Sequence, residues 1–295
     1  MIIATRGSRL ALWQAHFVQA ELEKLGIASE LNVIKTQGDR VQHLGFDKLE
    51  GKGFFTKEIE DALLDGRADI AVHSLKDLPT DQPEGLVLAA LSYRADVGDV
   101  ILINKASATP GKPFQLADGA RVGTSSNRRK AQLLDLHPGL VPVDIRGNVP
   151  TRMAKAVSGE LDAVVLAAAG LERLELDLSE LVVVRPSPRE FVPAPGQGVM
   201  AVQTRADDVE TRRKLAALHQ VTVGECTNVE RAVLSTLEGG CSMPLGVYCE
   251  QDQLGNYHAW AALAKDAASP VRRVQVSRST RVGLPEAIIA ELRRG

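Results

Sequence analysis

No stretch of this 295-residue sequence is apolar for the ~18 residues a membrane-crossing helix needs, and the longest apolar run, Ala163 to Ala169, is far too short. Cysteine is scarce. Cys226, Cys241 and Cys249 form an odd set without a CxxC pair, which argues against a disulfide framework or structural zinc and fits a reducing compartment. On composition alone each is expected to be a small buried apolar side chain. The six histidines contain no HExxH pair, so no metal site is expected. The N-terminus meets Arg6 and Arg9 before a signal-like apolar region develops, so the chain is expected to be soluble and cytoplasmic, without an export signal.

Several phosphate and nucleophile motifs are also missing. Gly51-Lys52-Gly53 fails as a phosphate loop, because Gly45 lies one residue too far upstream and Gly53 stands where Ser or Thr is required. Gly196, Gly198 and Ala201 satisfy GxGxxA but follow a proline-bearing loop instead of a strand, which predicts a turn. Gly123-Thr124-Ser125 lacks the second glycine of a nucleophile elbow.

What is present is ordinary globular material, 44% hydrophobic and 24% charged, enough for two or three cored domains. Met1 to Thr5 reads as a strand, and Ser8 caps a helix whose Leu10, Trp13 and Phe17 recur at helical spacing. A strand at Glu30 to Thr36 precedes a long polar loop, Gln37 to Gly53, of the kind that forms lids. A helix marked by Phe55, Ile59, Ala62 and Leu63 ends at Gly66. Ala68 to His73 then reads as a buried parallel strand stopping at Lys76-Asp77-Leu78-Pro79. A second alternating series spans Val100 to Val184, with strands near Arg121 to Gly123, Val141 to Ile145 and Asp162 to Leu166. The turn-rich Tyr93 to Asp99 and Pro186 to Gly198 flank it as two linkers would if one domain were inserted into another. From Val221 the pattern becomes a helix, a Gly-Gly-Cys turn, strand-like runs at Leu245 to Cys249, Tyr257 to Ala264 and Val271 to Ser277, and a closing helix. The expected architecture is α/β: lobe 1 over residues 1–94 and 195–218, lobe 2 over 98–188, and an α+β domain over 221–295.

The candidate chemistry lies in basic residues at strand ends and helix starts: Arg6, Lys48, Lys52, Lys76, Arg128, Arg129, Arg146, Arg152 and Arg173. Any one alone reads as a solvated surface charge. Their positions argue otherwise, because α/β sheets bind ligands beyond the carboxyl ends of their strands, where two lobes face a cleft. Without these nine cations the rest of the chain would fall nine units below its net charge of −2, so positive charge is concentrated and nucleic-acid binding is disfavoured. A small polyanion is the better ligand, aided by backbone N–H groups at the start of the Arg128 helix. Asp77, a carboxylate among cations, reads either as a plain turn residue before a proline or as a group that stabilises positive charge or moves protons. A solute-binding protein and another anion-handling transferase remain open on the same scaffold.

Seven ordered segments carry a resemblance: Ile3-Ala-Thr-Arg-Gly-Ser8 with Leu10-Ala-Leu-Trp-Gln14, Gly51-Lys-Gly-Phe-Phe55 with Lys57-Glu58, Asp69-Ile-Ala-Val-His-Ser-Leu-Lys-Asp77, Gly123-Thr-Ser-Ser-Asn-Arg-Arg129, Arg146-Gly-Asn-Val-Pro-Thr-Arg152, Pro193-Ala-Pro-Gly-Gln-Gly198 and Leu237-Glu-Gly-Gly-Cys241. Across nearly its whole length the sequence resembles the hydroxymethylbilane synthase (porphobilinogen deaminase) family. The resemblance implies two periplasmic-binding-protein-like lobes plus a small third α+β domain. It also implies a reaction in which four porphobilinogen molecules are deaminated and joined into hydroxymethylbilane on a dipyrromethane cofactor, held by a thioether to Cys241. By the same resemblance Lys76, Ser126, Arg128 and Arg129 hold cofactor carboxylates. Arg6, Arg146, Arg152 and Arg173 hold the substrate and growing chain, and Lys48 and Lys52 belong to a mobile lid. Asp77 stabilises the azafulvene cation formed when ammonia leaves. The partner is then a small anionic pyrrole, with no nucleic acid and no membrane, and the chain is expected to be a monomer. Ile2, where relatives often have a basic residue, and Glu50, where glycine is common, depart from the family pattern. The chain also lacks the longer C-terminal tail of some relatives.

Overall fold

Ser8 ends the first strand and starts the first helix: its Oγ accepts a hydrogen bond from the Ala11 amide at 3.3 Å, satisfying one of the orphan donors of the helix N-terminus. The structure, a computed structural model, describes residues 1–36, 56–237 and 243–294. In chain order its first elements are β1 (Ile2–Arg6), α1 (Arg9–Lys24), β2 (Glu30–Ile34), α2 (Lys57–Leu64), β3 (Ile70–Ser74) and β4 (Leu86–Leu91). Next come β5 (Asp99–Asn104), β6 (Arg121–Gly123), α3 (Asn127–Leu136), β7 (Val141–Val143), α4 (Val149–Val157), β8 (Ala163–Ala167), α5 (Ala168–Arg173) and β9 (Leu181–Val184). The last are β10 (Met200–Arg205), α6 (Val209–Leu215), α7 (Val221–Thr236), β11 (Leu245–Gln251), β12 (Tyr257–Leu263), β13 (Arg272–Arg278) and α8 (Leu284–Arg293).

These elements form two lobes with one five-stranded sheet each, and a third, three-stranded sheet. The first sheet has the order β2-β1-β3-β10-β4, with β1 parallel to β2 and β3, and β10 antiparallel to both its neighbours. The second repeats that plan as β7-β6-β8-β5-β9, with β5 as its antiparallel member. By compactness the chain divides into Met1–Ala95 with Gly198–Glu225, and Asp96–Gln197 with Cys226–Gly295.

Strand alternation builds the cores. In β1 and β3, Ile3, Ile70 and Val72 face Val18 and Leu22 of α1, whereas Ala4 and Ala71 face Ile59 and Leu63 of α2. In β5 and β8, Ile101, Ile103, Ala163 and Val165 pack with Leu133 of α3 and Phe191, and Val100, Leu102, Val164 and Leu166 pack with Ile145, Ala156 and Leu161. Each such side chain, fully buried, contributes about 1.5–3 kcal/mol if large and apolar. Gly123 ends β6 where nothing larger fits: a Cβ there would lie 2.7 Å from Leu161 Cδ1 and 2.9 Å from Ile145 Cγ2. The small α+β domain stacks the antiparallel sheet β11-β12-β13 on α7 and α8 through Val229, Val233, Val247, Ala259, Leu284 and Ile288.

The predicted turn at Gly196 and Gly198 is found, both glycines having positive φ (75° and 87°) before β10 begins. The long loop expected at Gln37 to Gly53 and the Gly-Gly-Cys turn lie outside the described residues. Among the described residues, no helix is long and apolar enough to cross a membrane.

Candidate active site

In the first lobe, Arg6 is the half-buried last residue of β1. Lys76 and Asp77 sit on a single 3₁₀ turn, Leu75–Asp77, directly after β3. The turn is pinned on both sides by apolar anchors, Leu75 fully buried and Leu78 nearly so, and by the Leu75 amide donating to the Val199 carbonyl at 2.9 Å. Burial of the two leucines leaves Lys76 half-buried and Asp77 exposed, so the carboxylate is presented on a backbone held by the sheet.

From β3 beside this turn runs a polar network that takes in the carboxyl group of Glu60. His73 Nε2 and Gln203 Oε1 are 3.2 Å apart, and the Gln203 amide donates to Gln82 Oε1 at 2.9 Å and Glu60 Oε1 at 3.3 Å. Thr56 Oγ1 donates to Glu60 Oε2 at 3.1 Å. Burial, against the hydrogen bond that His73 Nε2 donates to Gln203 Oε1 and with help from the positive Arg6, pushes His73 down to about 4, so the imidazole is neutral at pH 7.

The second lobe places Ser126, Arg128 and Arg129 together on the first turn of α3. Ser126 caps that helix, its Oγ accepting from the Arg129 amide at 3.4 Å. Arg128 and Arg129 point inward, at 5% and 7% exposure, onto the buried carboxylate of Asp99 at the start of β5. Arg128 Nη1 reaches Asp99 Oδ2 at 2.8 Å, and Arg129 Nη2 and Nε reach Asp99 Oδ1 at 2.7 and 3.2 Å. Gln197 Nε2 adds a bond to the same Oδ1 at 3.0 Å. Burial opposes ionisation of Asp99, but the two guanidinium groups overcome it and hold the carboxyl far below its usual range. Burial lowers the Arg128 pKa, an effect that Asp99 counters and Arg129 reinforces.

Arg146 follows β7 on a loop whose Gly147 has φ +105°. Asn148 then caps α4, its Oδ1 accepting from the Thr151 amide at 2.9 Å, and Arg152 Nε donates back to the Gly147 carbonyl at 2.8 Å. Arg173 closes α5 and is buried, at 7% exposure. Lys48, Lys52 and Cys241 lie outside the described residues. Sequence reasoning did not single out Asp99, Gln197, His73 or Gln203. Asp99 stood at the end of a turn-rich linker, and its arginine partners lie about thirty residues away, so local pattern gave it no signal.

The fold defines a class, an α/β protein of two similar lobes, each of which carries cations after strands of its own sheet, the usual place for ligand-binding groups in such sheets. Residues 1–213 match the family described as porphobilinogen deaminase, dipyromethane cofactor binding domain, and residues 224–257 match porphobilinogen deaminase, C-terminal domain. The chain is 46% identical over 250 residues to the porphobilinogen deaminase of Sulfurimonas denitrificans, covering 84% of this chain and 78% of the relative. It is 45% identical over 260 residues to that of Chloroherpeton thalassium, covering 88% and 81%. Among solved structures it is similar to the BvgS VFT2 domain of Bordetella pertussis, with TM-score 0.46 and 17% identity over 76% of this chain and 89% of that one. The chain belongs to the porphobilinogen deaminase family.

The residues present suit the cofactor named in the family's description. Two buried guanidinium groups face a single buried carboxylate, leaving one net positive charge in a site where an uncompensated ion is costly. A carboxylate-bearing ligand at that helix start would supply the missing counter-charge.

Proposed function

We propose that this chain is a hydroxymethylbilane synthase: it joins four porphobilinogen molecules head to tail, releasing ammonia, on a dipyrromethane group attached to the sulfur of Cys241. What carries the reading is the span of the family match, which includes every residue assigned a role here. The bound dipyrromethane supplies the pyrrole to which the first substrate is joined.

The chain's own residues do the rest. Ser126, Lys76 and the Arg128–Arg129 pair, taken as one unit, would hold the cofactor's acetate and propionate groups, because a helix start with buried guanidinium groups favours carboxylates. Arg6, Arg146, Arg152 and Arg173 would neutralise substrate and product carboxylates, and Lys48 and Lys52 would extend that role. Asp77, fixed on its turn by Leu75 and Leu78, would stabilise positive charge that develops on the substrate pyrrole as ammonia leaves. Such a preorganised contact is worth about 3–4 kcal/mol. The enzyme would act in the cytoplasm as a monomer, with residues 221–295 as the domain carrying Cys241.

Intact-mass spectrometry tests the assignment. Purified protein should exceed its sequence mass by one dipyrromethane unit, and Cys241→Ser should abolish the excess. Protein of bare sequence mass that still converts porphobilinogen overturns the cofactor assignment. Asp77→Asn should lower kcat roughly 100- to 1,000-fold with an unchanged unfolding midpoint, and near-normal turnover removes Asp77 from its role. Light scattering should report the mass of a single chain.

A further inference from the structure

Arg128 and Arg129 are neighbours in sequence, similarly buried, and share one counter-ion, yet the protein engages them unequally. Arg129 is held at all three of its nitrogens: Nε and Nη2 chelate Asp99 Oδ1, and Nη1 donates to the Val165 carbonyl at 3.0 Å. Arg128 is held at one. Its Nη1 donates to Asp99 Oδ2 at 2.8 Å and to the Val192 carbonyl at 2.9 Å, and among the described residues its Nε and Nη2 have no protein acceptor.

The difference is chemical as well as numerical. The Nε and Nη2 hydrogens of an arginine point the same way and form the edge that grips both oxygens of a carboxylate at once. Arg129 has turned that edge onto Asp99, whereas Arg128 keeps it clear of Asp99. The anchor of Arg128 is itself fixed. Gln132 clamps the Val192 backbone from both sides, accepting from its amide at 2.7 Å and donating to its carbonyl at 2.9 Å. On the other side, Gln197 Nε2 shares Asp99 Oδ1 with Arg129 and also donates to the Val97 carbonyl at 2.8 Å. Asp99 is therefore held by Gln197, and by its place in β5, as well as by the arginines, and it can orient them.

We infer that Asp99 divides the arginine pair into two roles: Arg129 is a brace that neutralises Asp99, and Arg128 alone presents a bidentate edge, carrying the unneutralised positive charge, to one ligand carboxylate. Asp99 is a positioning residue in this scheme, acting through Arg128. The inference rests on the reading that this cluster holds a pyrrole carboxylate, and it narrows that reading from two arginines to one.

Charge-balanced double variants separate the roles. Asp99→Asn alone leaves two buried cations uncompensated and can fail to fold, so it is paired with the removal of one cation at a time. The readouts are the fraction of purified chains carrying the extra dipyrromethane mass and the unfolding midpoint. D99N/R129Q keeps the Arg128 edge and a single positive charge, and should carry the added mass in most chains. D99N/R128Q has the same formal charge and should lose the added mass roughly 10-fold or more, as expected for loss of a charge-assisted bidentate pair. Equal occupancy in the two double variants, whether both high or both low, overturns the division of roles. Failure of D99N/R129Q to fold also overturns it. The underlying reading fails separately: if Arg128→Gln alone retains both full occupancy and the wild-type KM for porphobilinogen, this cluster holds no pyrrole carboxylate.

Discussion

The two lobes carry the same strand plan, but the polar interior beside their strand ends is built in opposite ways. In the second lobe it is ionic, with Asp99 between Arg128 and Arg129. In the first it holds no arginine: an uncharged His73 lies beside Gln203, whose amide donates to the Glu60 carboxyl. The difference teaches what each lobe can do when it is empty. The ionic cluster carries one positive charge more than its own carboxylate balances, which favours an anion beside it. The other network has no guanidinium among its hydrogen-bonding members: His73 is uncharged and the Glu60 carboxyl accepts from Gln203 and Thr56, so the cluster offers an anion no counter-charge.

The comparison can be broken most forcefully at Asp99. Removing one partner of a buried ion pair leaves uncompensated charge, so Asp99→Asn should destabilise the protein by about 3–5 kcal/mol in urea titrations of unfolding. A loss below about 1 kcal/mol would mean the arginines are solvated without it, and the contrast between the lobes would disappear. His73 gives the next largest effect, and it is read by pH. Its pKa falls from 6.5 to about 4 on folding, so below 6.5 the unfolded chain takes up a proton that the native chain refuses. Stability should be fully present above pH 6.5 and fall by up to about 3 kcal/mol as pH drops to 4, and His73→Gln should flatten that part of the profile. Asp99, whose pKa is depressed, contributes in a different window: its stabilisation is present above its ordinary value of 3.8 and is lost only below it. An unchanged slope between pH 4 and 6.5 in His73→Gln would assign the acid sensitivity elsewhere.

The sequence made much of this legible because the relevant signals are local. Ser8 and Ser126 could be read as helix starts, Gly196 and Gly198 as a turn, and the basic residues as strand-end groups, since each follows from a few neighbouring residues. Contacts made by topology could not be read that way. Gln203 meets His73 only because β10 returns, after the whole second lobe has been built, to lie between β3 and β4. Asp99 looked like a linker carboxylate until β5 took its antiparallel place beside β8 and set it opposite Ala167. Arginine 128 and its neighbour were legible as candidate ligands, but their unequal engagement depends on the Val165 and Val192 carbonyls, and a carbonyl leaves no trace in a sequence.

The smallest effect sharpens the comparison by removing charge from it. In each lobe a parallel strand is followed by a serine that caps a helix, Ser8 after β1 from 3.3 Å and Ser126 after β6 from 3.4 Å. The caps are nearly identical in geometry and do the same work for the backbone, so Ser8→Ala and Ser126→Ala should each cost about 1 kcal/mol of stability. Their consequences for the ligand should differ. The amide that Ser126 holds belongs to Arg129, and the same helix start carries Arg128, so loosening that turn disturbs the guanidinium edge as well as the helix. The turn that Ser8 caps carries no such pair. Ser126→Ala should therefore reduce the fraction of chains bearing the added cofactor mass at a stability cost matched by Ser8→Ala, which should not. If both variants lose the same mass fraction, the deficit follows from stability alone, and the second lobe's helix start has no special claim on the ligand.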